Sequence, residues 1–164
     1  MTHPDWTLRP ALPEDEPVIR ALVRLERLNP TGLRWPTFLV AEMQGEIVGA
    51  AQMRRHRDGS CEVGSLVVGR AHRYRGIAES LISALVTRET GPIHIVTARV
   101  RAGRYRRWGF EKVAVAEAAG PVRWNMRMGL VAGGLASLLR GRSPTALVIL
   151  RRAAAGASTA DRQP

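Results

Sequence analysis

The residues best placed for chemistry in this sequence are Arg73, Tyr74, Arg75, Gly76, Ile77 and Ala78. An apolar run, Ser65, Leu66, Val67 and Val68, leads into them, and Ile77, Leu81, Ile82, Leu85 and Val86 recur at helical spacing on the way out. The pattern predicts a strand, a basic glycine turn and a helix. At such a junction the first N–H groups of the helix converge on one spot, where the macrodipole also favours negative charge. Gly76 admits an anion to the main chain with no Cβ in the way, Ala78 keeps the next turn narrow, and Arg73 and Arg75 can add charge-assisted hydrogen bonds. The chemistry implied is phosphate binding. The fingerprints of nucleoside-triphosphate and dinucleotide sites are missing, since neither Gly-x-x-x-x-Gly-Lys-Ser/Thr nor Gly-x-Gly-x-x-Gly occurs. Taken alone, the six residues also fit a plain strand-to-helix turn with exposed arginines.

What remains, Arg-x-x-Gly-x-Ala, resembles the Gln/Arg-x-x-Gly-x-Gly/Ala pyrophosphate signature of the GNAT superfamily, the acetyl-CoA-dependent N-acetyltransferases. A second segment follows in the right order: Tyr105-Arg106-Arg107-Trp108-Gly109-Phe110-Glu111-Lys112-Val113 resembles that family's Tyr-x-x-x-Gly-Phe-x-x-Val. More loosely, the resemblance extends over nearly the whole chain, from Thr7 to Arg152. It implies an α/β fold with a mixed, mostly antiparallel sheet, flanked by helices, in which strands four and five form a splayed parallel pair with CoA in the V between them. It also implies acetyl-CoA as cosubstrate, held by Leu66, Val67 and Val68 along the pantetheine arm and by Arg73, Tyr74, Arg75, Gly76, Ile77, Ala78 and Glu79 at the pyrophosphate. The loop after the first helix borders the acceptor site in that family, which makes Leu33, Arg34 and Trp35 candidate substrate contacts. A connecting loop with a packing tryptophan is the alternative.

Acetyl transfer from a thioester to an amine needs a neutral amine, a polarised carbonyl and a proton for the departing thiolate. By the same resemblance Tyr105 is the candidate acid, because a phenol with a pKa near ~10 is protonated at neutral pH and can donate. Packing of the short helix is its other reading. Glu62, on the fourth strand, is the candidate base; an exposed strand residue or ion-pair partner would look the same in sequence. On strict alternation Glu62 shares a face with Gly64 and Leu66, and Cys61, Val63 and Ser65 share the other. Direct attack needs no covalent intermediate, so the lack of a Ser/His/Asp or Cys/His set is no obstacle.

The elements that must position these groups follow from the pattern. Residues 7–10 read as a short strand stopped by Pro10, residues 13–16 as an acidic first helical turn, and Val18, Ile19, Leu22, Val23, Leu25 and Leu28 as its apolar stripe, broken at residues 29–32. Strand-like runs at 37–43, 46–54 and 61–68, separated by Gln44-Gly45 and Asp58-Gly59, predict an antiparallel meander with a bulge or splay near Gly64. The helix begun at Gly76 ends at Gly91-Pro92; a strand at 93–100, a short helix at 102–108 and strands at 111–115 and 145–151 complete the reading. Between the last two, residues 121–144 suggest a glycine-loosened helix that packs in the core or in a homodimer.

At 164 residues the chain suits one domain, spanning residues 1–152, with residues 153–164 a frayed tail. Cys61 is the single cysteine, which excludes an internal disulfide and fits a reducing cytoplasm. The four histidines have no metal-ligand spacing, so no metal is expected. The N-terminus has no signal pattern and the charge-free stretch 128–139 is too short to cross a bilayer, so a soluble protein is expected.

The net charge of +11 is almost all arginine, Lys112 being the sole lysine. Because the arginines are spread along the whole length and aromatics make up only 5% of residues, a basic cleft for an anionic cosubstrate is favoured over a nucleic-acid surface. The leading reading is therefore an N-acetyltransferase acting on a primary amine of a small molecule or amino acid. A protein N-acetyltransferase and a non-enzymatic CoA- or nucleic-acid-binding module are the alternatives. Short duplex DNA should accordingly bind only weakly and with steep salt dependence in a fluorescence titration. Tight, sequence-selective binding at physiological salt would reverse this ranking.

Overall fold

The computed structural model describes residues 5–26, 28–138 and 146–154. They divide into two compact units, Met1–Arg54 with Val63–Leu85, and Arg55–Glu62 with Val86–Pro164.

In the first unit β1 (Thr7–Pro10) pairs antiparallel with β2 (Phe38–Met43), and β2 with β3 (Glu46–Arg55). Gln44 (φ 51°) and Gly45 (φ 80°) close the β2–β3 hairpin, two left-handed residues whose twist matches that of the strands they join. The first helix, α1 (Glu16–Leu25), starts later than the acidic turn implied, because Pro13–Asp15 form a 3-10 turn. Its stripe is also narrower. Ile19 and Val23 are buried in the core and Leu22 and Leu28 are partly buried against it, but Val18 (43% exposed) and Leu25 (62%) sit seven residues apart on a flank that faces water. That core includes Phe38, Val40, Ala50 and Val67. The second helix, α2 (Ile77–Thr87), buries Ile77, Leu81, Ile82, Leu85 and Val86, the residues its periodicity selects.

In the second unit β5 (Ile93–Ala98), β7 (Leu147–Arg152) and β6 (Glu111–Val113) form an antiparallel group with β7 in the middle. β5 stops before the expected residue 100, since Arg99–Trp108 wind into 3-10 turns ended by Gly109 (φ 77°). β6 stops at Val113 and a 3-10 turn, Val115–Glu117, replaces its expected end. The glycine-rich stretch is helical as α3 (Gly120–Leu138), with Val122 and Met126 packed on Ile149 of β7. Residues 139–145 and 155–164, which include the start of the expected last strand and most of the expected tail, lie outside the described residues.

The strand order is β1-β2-β3-β4-β5-β7-β6, where β4 (Cys61–Val68) and β5 are the parallel pair and the other pairs are antiparallel, which is the mixed α/β architecture expected. None of the described helices is long and apolar enough to cross a membrane.

One partly buried ionic cluster joins three elements of the first unit. Arg9 of β1 donates to Asp15 at 2.6 and 3.2 Å and to Glu42 of β2 at 2.6 Å, and Asp15 also accepts the Leu12 N–H at 2.7 Å. Arg9 holds the Asp15 carboxyl below its usual range against the opposing effect of burial. A lowered folded value means that this stabilisation is present above the unfolded pKa and is lost as pH falls through the folded one. Asp15→Asn should therefore lower the unfolding free energy at neutral pH by about 1.5 to 3 kcal/mol. In urea titrations the gap between wild type and variant should close as the pH is taken down through the acid range.

Candidate active site

β4 carries the irregularity expected of it, one residue from where the glycine suggested. Ser65 has φ 49°, a left-handed residue within an otherwise extended strand. The left-handed residue interrupts the alternation of β4 at Ser65, and Cys61, Glu62 and Val63 before it are all buried. Gly64 has a different use. A Cβ there would lie 2.6 Å from a guanidinium nitrogen of Arg54, so the missing side chain makes room for that group. Arg54 Nη2 donates to Ser65 Oγ at 3.1 Å, Ser65 Oγ donates to Gln52 Oε1 at 3.3 Å, and Gln52 Nε2 donates to the Gly32 carbonyl at 2.8 Å and to Thr37 Oγ1 at 2.9 Å. This buried chain ties the irregular residue of β4 to the loop that follows α1.

Beyond β4 the main chain passes through a 3-10 turn, Arg70–His72, and two left-handed residues, Tyr74 (φ 64°) and Gly76 (φ 85°), before α2 begins. The first helical bond runs from Ser80 N–H to the Gly76 carbonyl at 3.0 Å. Gly76 is thus required by conformation and not by crowding within the protein: the nearest atom to a Cβ there, on Trp6, is 4.0 Å away, but φ 85° strains any side chain. Val67 and Ile77 turn their side chains into the core. Tyr74, Arg75 and Glu79 are exposed and Leu66, Val68 and Ala78 half-buried. Arg73 is already engaged. It pairs with Glu26 at 2.5 Å and donates to the Val68 carbonyl at 3.2 Å, while Arg70 pairs with the same carboxylate at 3.3 Å. Burial works against ionisation of Glu26, but the bonds from Arg73 and Arg70 outweigh it and hold the carboxyl below its usual range.

Leu33, Arg34 and Trp35 come together with Glu16, Arg20, Gly32 and Pro36 around an open pocket of ≈ 490 Å³. Leu33 is buried and belongs to the core, Trp35 is half-buried and Arg34 exposed. Arg20 pairs with Glu16 at 2.8 Å and donates to the Leu33 carbonyl at 3.2 Å, which fixes the pocket wall to α1. Glu16 and Arg20 were legible in sequence only as a helical i, i+4 pair. Gln52 gave no sequence signal beyond a polar residue in an apolar strand.

The two candidate catalytic residues belong to the second unit. Tyr105 is 9% exposed, with its ring 6.2 Å edge-on to Phe110 and 6.3 Å from Trp108. Burial raises its pKa, and a hydrogen bond with the Thr97 side chain only partly opposes this, so the phenol stays protonated at neutral pH. Glu62 is 2% exposed and so is no surface strand residue. Its Oε2 accepts from Asn125 Nδ2 of α3 at 2.7 Å and lies 3.3 Å from His56 Nε2. Sequence reasoning missed both partners. His56 is placed by the β3–β4 turn, where its N–H donates to the Ser60 carbonyl at 2.9 Å and Gly59 (φ 79°) donates back to the His56 carbonyl at 3.1 Å.

The Gln52 chain can be tested apart from any chemistry. Gln52→Leu keeps the volume and strips the Gly32 carbonyl and Thr37 Oγ1 of their donor, so denaturant unfolding should show a loss of about 1 to 3 kcal/mol. An unchanged midpoint would mean that the chain contributes nothing to stability.

Residues 34–112 match the family model described as acetyltransferase (GNAT) domain. No curated protein matches the sequence. Among solved structures the chain is similar to N-acetylglutamate synthase from Neisseria gonorrhoeae complexed with coenzyme A and N-acetyl-glutamate (TM-score 0.68, 19% identity), with 90% of this chain and 34% of that one covered. It therefore spans about a third of that protein's length. It is also similar to ribosomal-protein-alanine N-acetyltransferase from Brucella melitensis (TM-score 0.59, 18% identity, 90% and 99% covered). A third likeness is to diaminobutyrate acetyltransferase from Paenibacillus lautus in complex with its substrate and coenzyme A (TM-score 0.52, 21% identity, 63% and 73% covered).

Proposed function

We propose that this chain is an acyltransferase of the GNAT superfamily that moves the acetyl group of acetyl-CoA to a primary amine of a small molecule, an amino acid being the favoured class. The observation that carries the reading is the junction of β4 and α2. There a left-handed Gly76 opens onto the first turn of α2, where the helical bonds to the Gly76 carbonyl begin at Ser80 N–H. A pyrophosphate suits this seat, with Tyr74, Gly76, Ile77, Ala78 and Glu79 contributing main-chain groups and Arg75 a free-reaching charge. Arg73 acts from behind, pinning the turn to Glu26 and Val68. Main-chain groups of Leu66, Val67 and Val68 suit a pantetheine arm, since an irregular strand leaves such groups without regular ladder partners. Leu33, Arg34 and Trp35 border the acceptor pocket.

The reaction is direct attack of the amine on the thioester carbonyl. The acceptor enters as an ammonium and gives up two protons overall: one ends on sulfur and the other in solvent. Glu62 takes the proton that frees the amine, the N–C bond forms as the C–S bond breaks, Tyr105 supplies a proton to the departing thiolate, and the second proton lost by the nitrogen restores the phenol. A phenol held neutral by burial is suited to that task. The likeness to a ribosomal-protein-alanine N-acetyltransferase supports a peptide amine as the second reading.

A panel of amines and short peptides incubated with acetyl-CoA, followed by thiol release, tests the activity. Tyr105→Phe should lower kcat by about 10²-fold or more with little change in the KM for acetyl-CoA, because the ring still packs and only the proton is lost. Arg75→Glu probes the seat more cleanly than a change at the strained Gly76, and should weaken CoA binding in calorimetry without shifting the melting temperature. Thiol release from no member of the panel, together with no heat of CoA binding, would sink the reading.

A further inference from the structure

We infer that His56 is the proton exit for Glu62, passing to solvent the proton that the acceptor amine gives up, and that Asn125 positions the Glu62 carboxylate for this hand-over. The inference rests on the reading of Glu62 as the base. It starts from a difficulty in that reading. The Glu62 side chain is only 3% exposed, so a proton accepted there has no direct way into water, yet a base must unload once in every cycle.

Asn125 and His56 both meet Glu62 Oε2. Asn125 Nδ2 donates to it at 2.7 Å, but an amide has no proton to exchange at neutral pH and can only orient the carboxylate. His56 Nε2 stands 3.3 Å from the same oxygen, and its side chain is 14% exposed, so the imidazole is the member of the pair that reaches water. An imidazole can accept at one nitrogen and release from the other. The transfer balances as follows: Oε2–H of Glu62 gives its proton to Nε2 of His56, and Nδ1–H of His56 gives one to water. The carboxylate is regenerated and the ring returns to its starting tautomer by exchange with solvent.

The surroundings keep this path in place. The backbone bonds between His56, Gly59 and Ser60 hold the turn, and Asp58, the other charged group of the turn that acts on His56, has its Oδ1 occupied by the Ser60 N–H at 3.1 Å and hydroxyl at 2.7 Å. A purely structural ion pair would need the same two side chains, so the test must read proton transfer and not only stability.

His56→Gln keeps an N–H donor within reach of Oε2 and removes the relay, whereas His56→Ala opens space beside Glu62. Both should lower kcat about tenfold or more while leaving the KM for acetyl-CoA unchanged. Added imidazole should restore turnover of His56→Ala in a concentration-dependent manner and have no effect on wild type. Asn125→Ala should also slow turnover, but without imidazole rescue, because orientation and not a carrier is lost. Wild-type kcat in His56→Gln, or a loss in His56→Ala that imidazole does not touch, would overturn the relay. Glu62→Gln separates this failure from that of the base assignment: if Glu62→Gln is slow and His56→Gln is fast, only the relay falls, and if Glu62→Gln turns over at the wild-type rate, both fall.

Discussion

The first residue of α2 packs tightly over Gly49 of β3, which has no side chain. A Cβ at that position would lie 3.1 Å from Cγ2 of Ile77 and 3.1 Å from the Val67 carbonyl oxygen, closer than a packed core accommodates without movement. Ile77 is the first residue of α2 and fully buried, so where it seats decides where the N-terminus of the helix stands. The turn before it is held from the other side. Gly69 N–H donates to the Val48 carbonyl at 2.8 Å, next to Gly49, and Glu26 gathers Arg70 and Arg73 at the end of α1. An anion seat made of main-chain N–H groups has no side chain to adjust, so its accuracy depends on such packing.

Two buried polar side chains, Gln52 in the first unit and Glu62 in the second, are partnered across elements far apart in sequence. Gln52 is 1% exposed and serves the loop after α1 and the irregular residue of β4 together. Glu62 is nearly as buried and is met from the β3–β4 turn and from α3. Leaving either without partners would cost the desolvation of a buried amide or carboxylate, whereas the net gain from making the bonds is modest. Such groups do little for bulk stability. They specify which loop sits beside which strand, and that is what a substrate pocket needs.

What the sequence made legible was local. The strand, turn and helix around Gly76 could be read because periodicity, a glycine and clustered arginines fall within a few residues, and every strand of the meander lay close to its expected bounds. The Tyr105 segment was recognisable for the same reason. What could not be read was set by distance or by shape. Asn125 lies 63 residues from Glu62, and nothing in a run of helical residues marks one asparagine as a carboxylate partner. Nor does composition say that Arg73, first residue of the signature, has its charge committed to Glu26. The left-handed turn of β4 fell on Ser65 although the adjacent glycine was the better signal, because Gly64 was already used to admit the Arg54 guanidinium. Val18 and Leu25 looked like core residues because a stripe two residues wide and one three residues wide have the same period.

The arginine excess can be argued on the same footing. Arg152 donates to the carbonyls of Val86 and Glu89 at 3.1 and 3.0 Å, where the end of α2 leaves oxygens without helical donors. Arg123 does likewise for Ala116 and Ala118, both at 3.1 Å. Arg9, Arg20 and Arg55 serve carboxylates within their own units. These tasks use the planar fork, which meets two acceptors at once with little further loss of freedom, and a lysine ammonium would satisfy them less well. A chain that spends arginine in this way acquires positive charge as a by-product of satisfying its own oxygens. Arg75, at the turn before α2, has no such task among the described residues, and the proposed pyrophosphate seat is what gives it one.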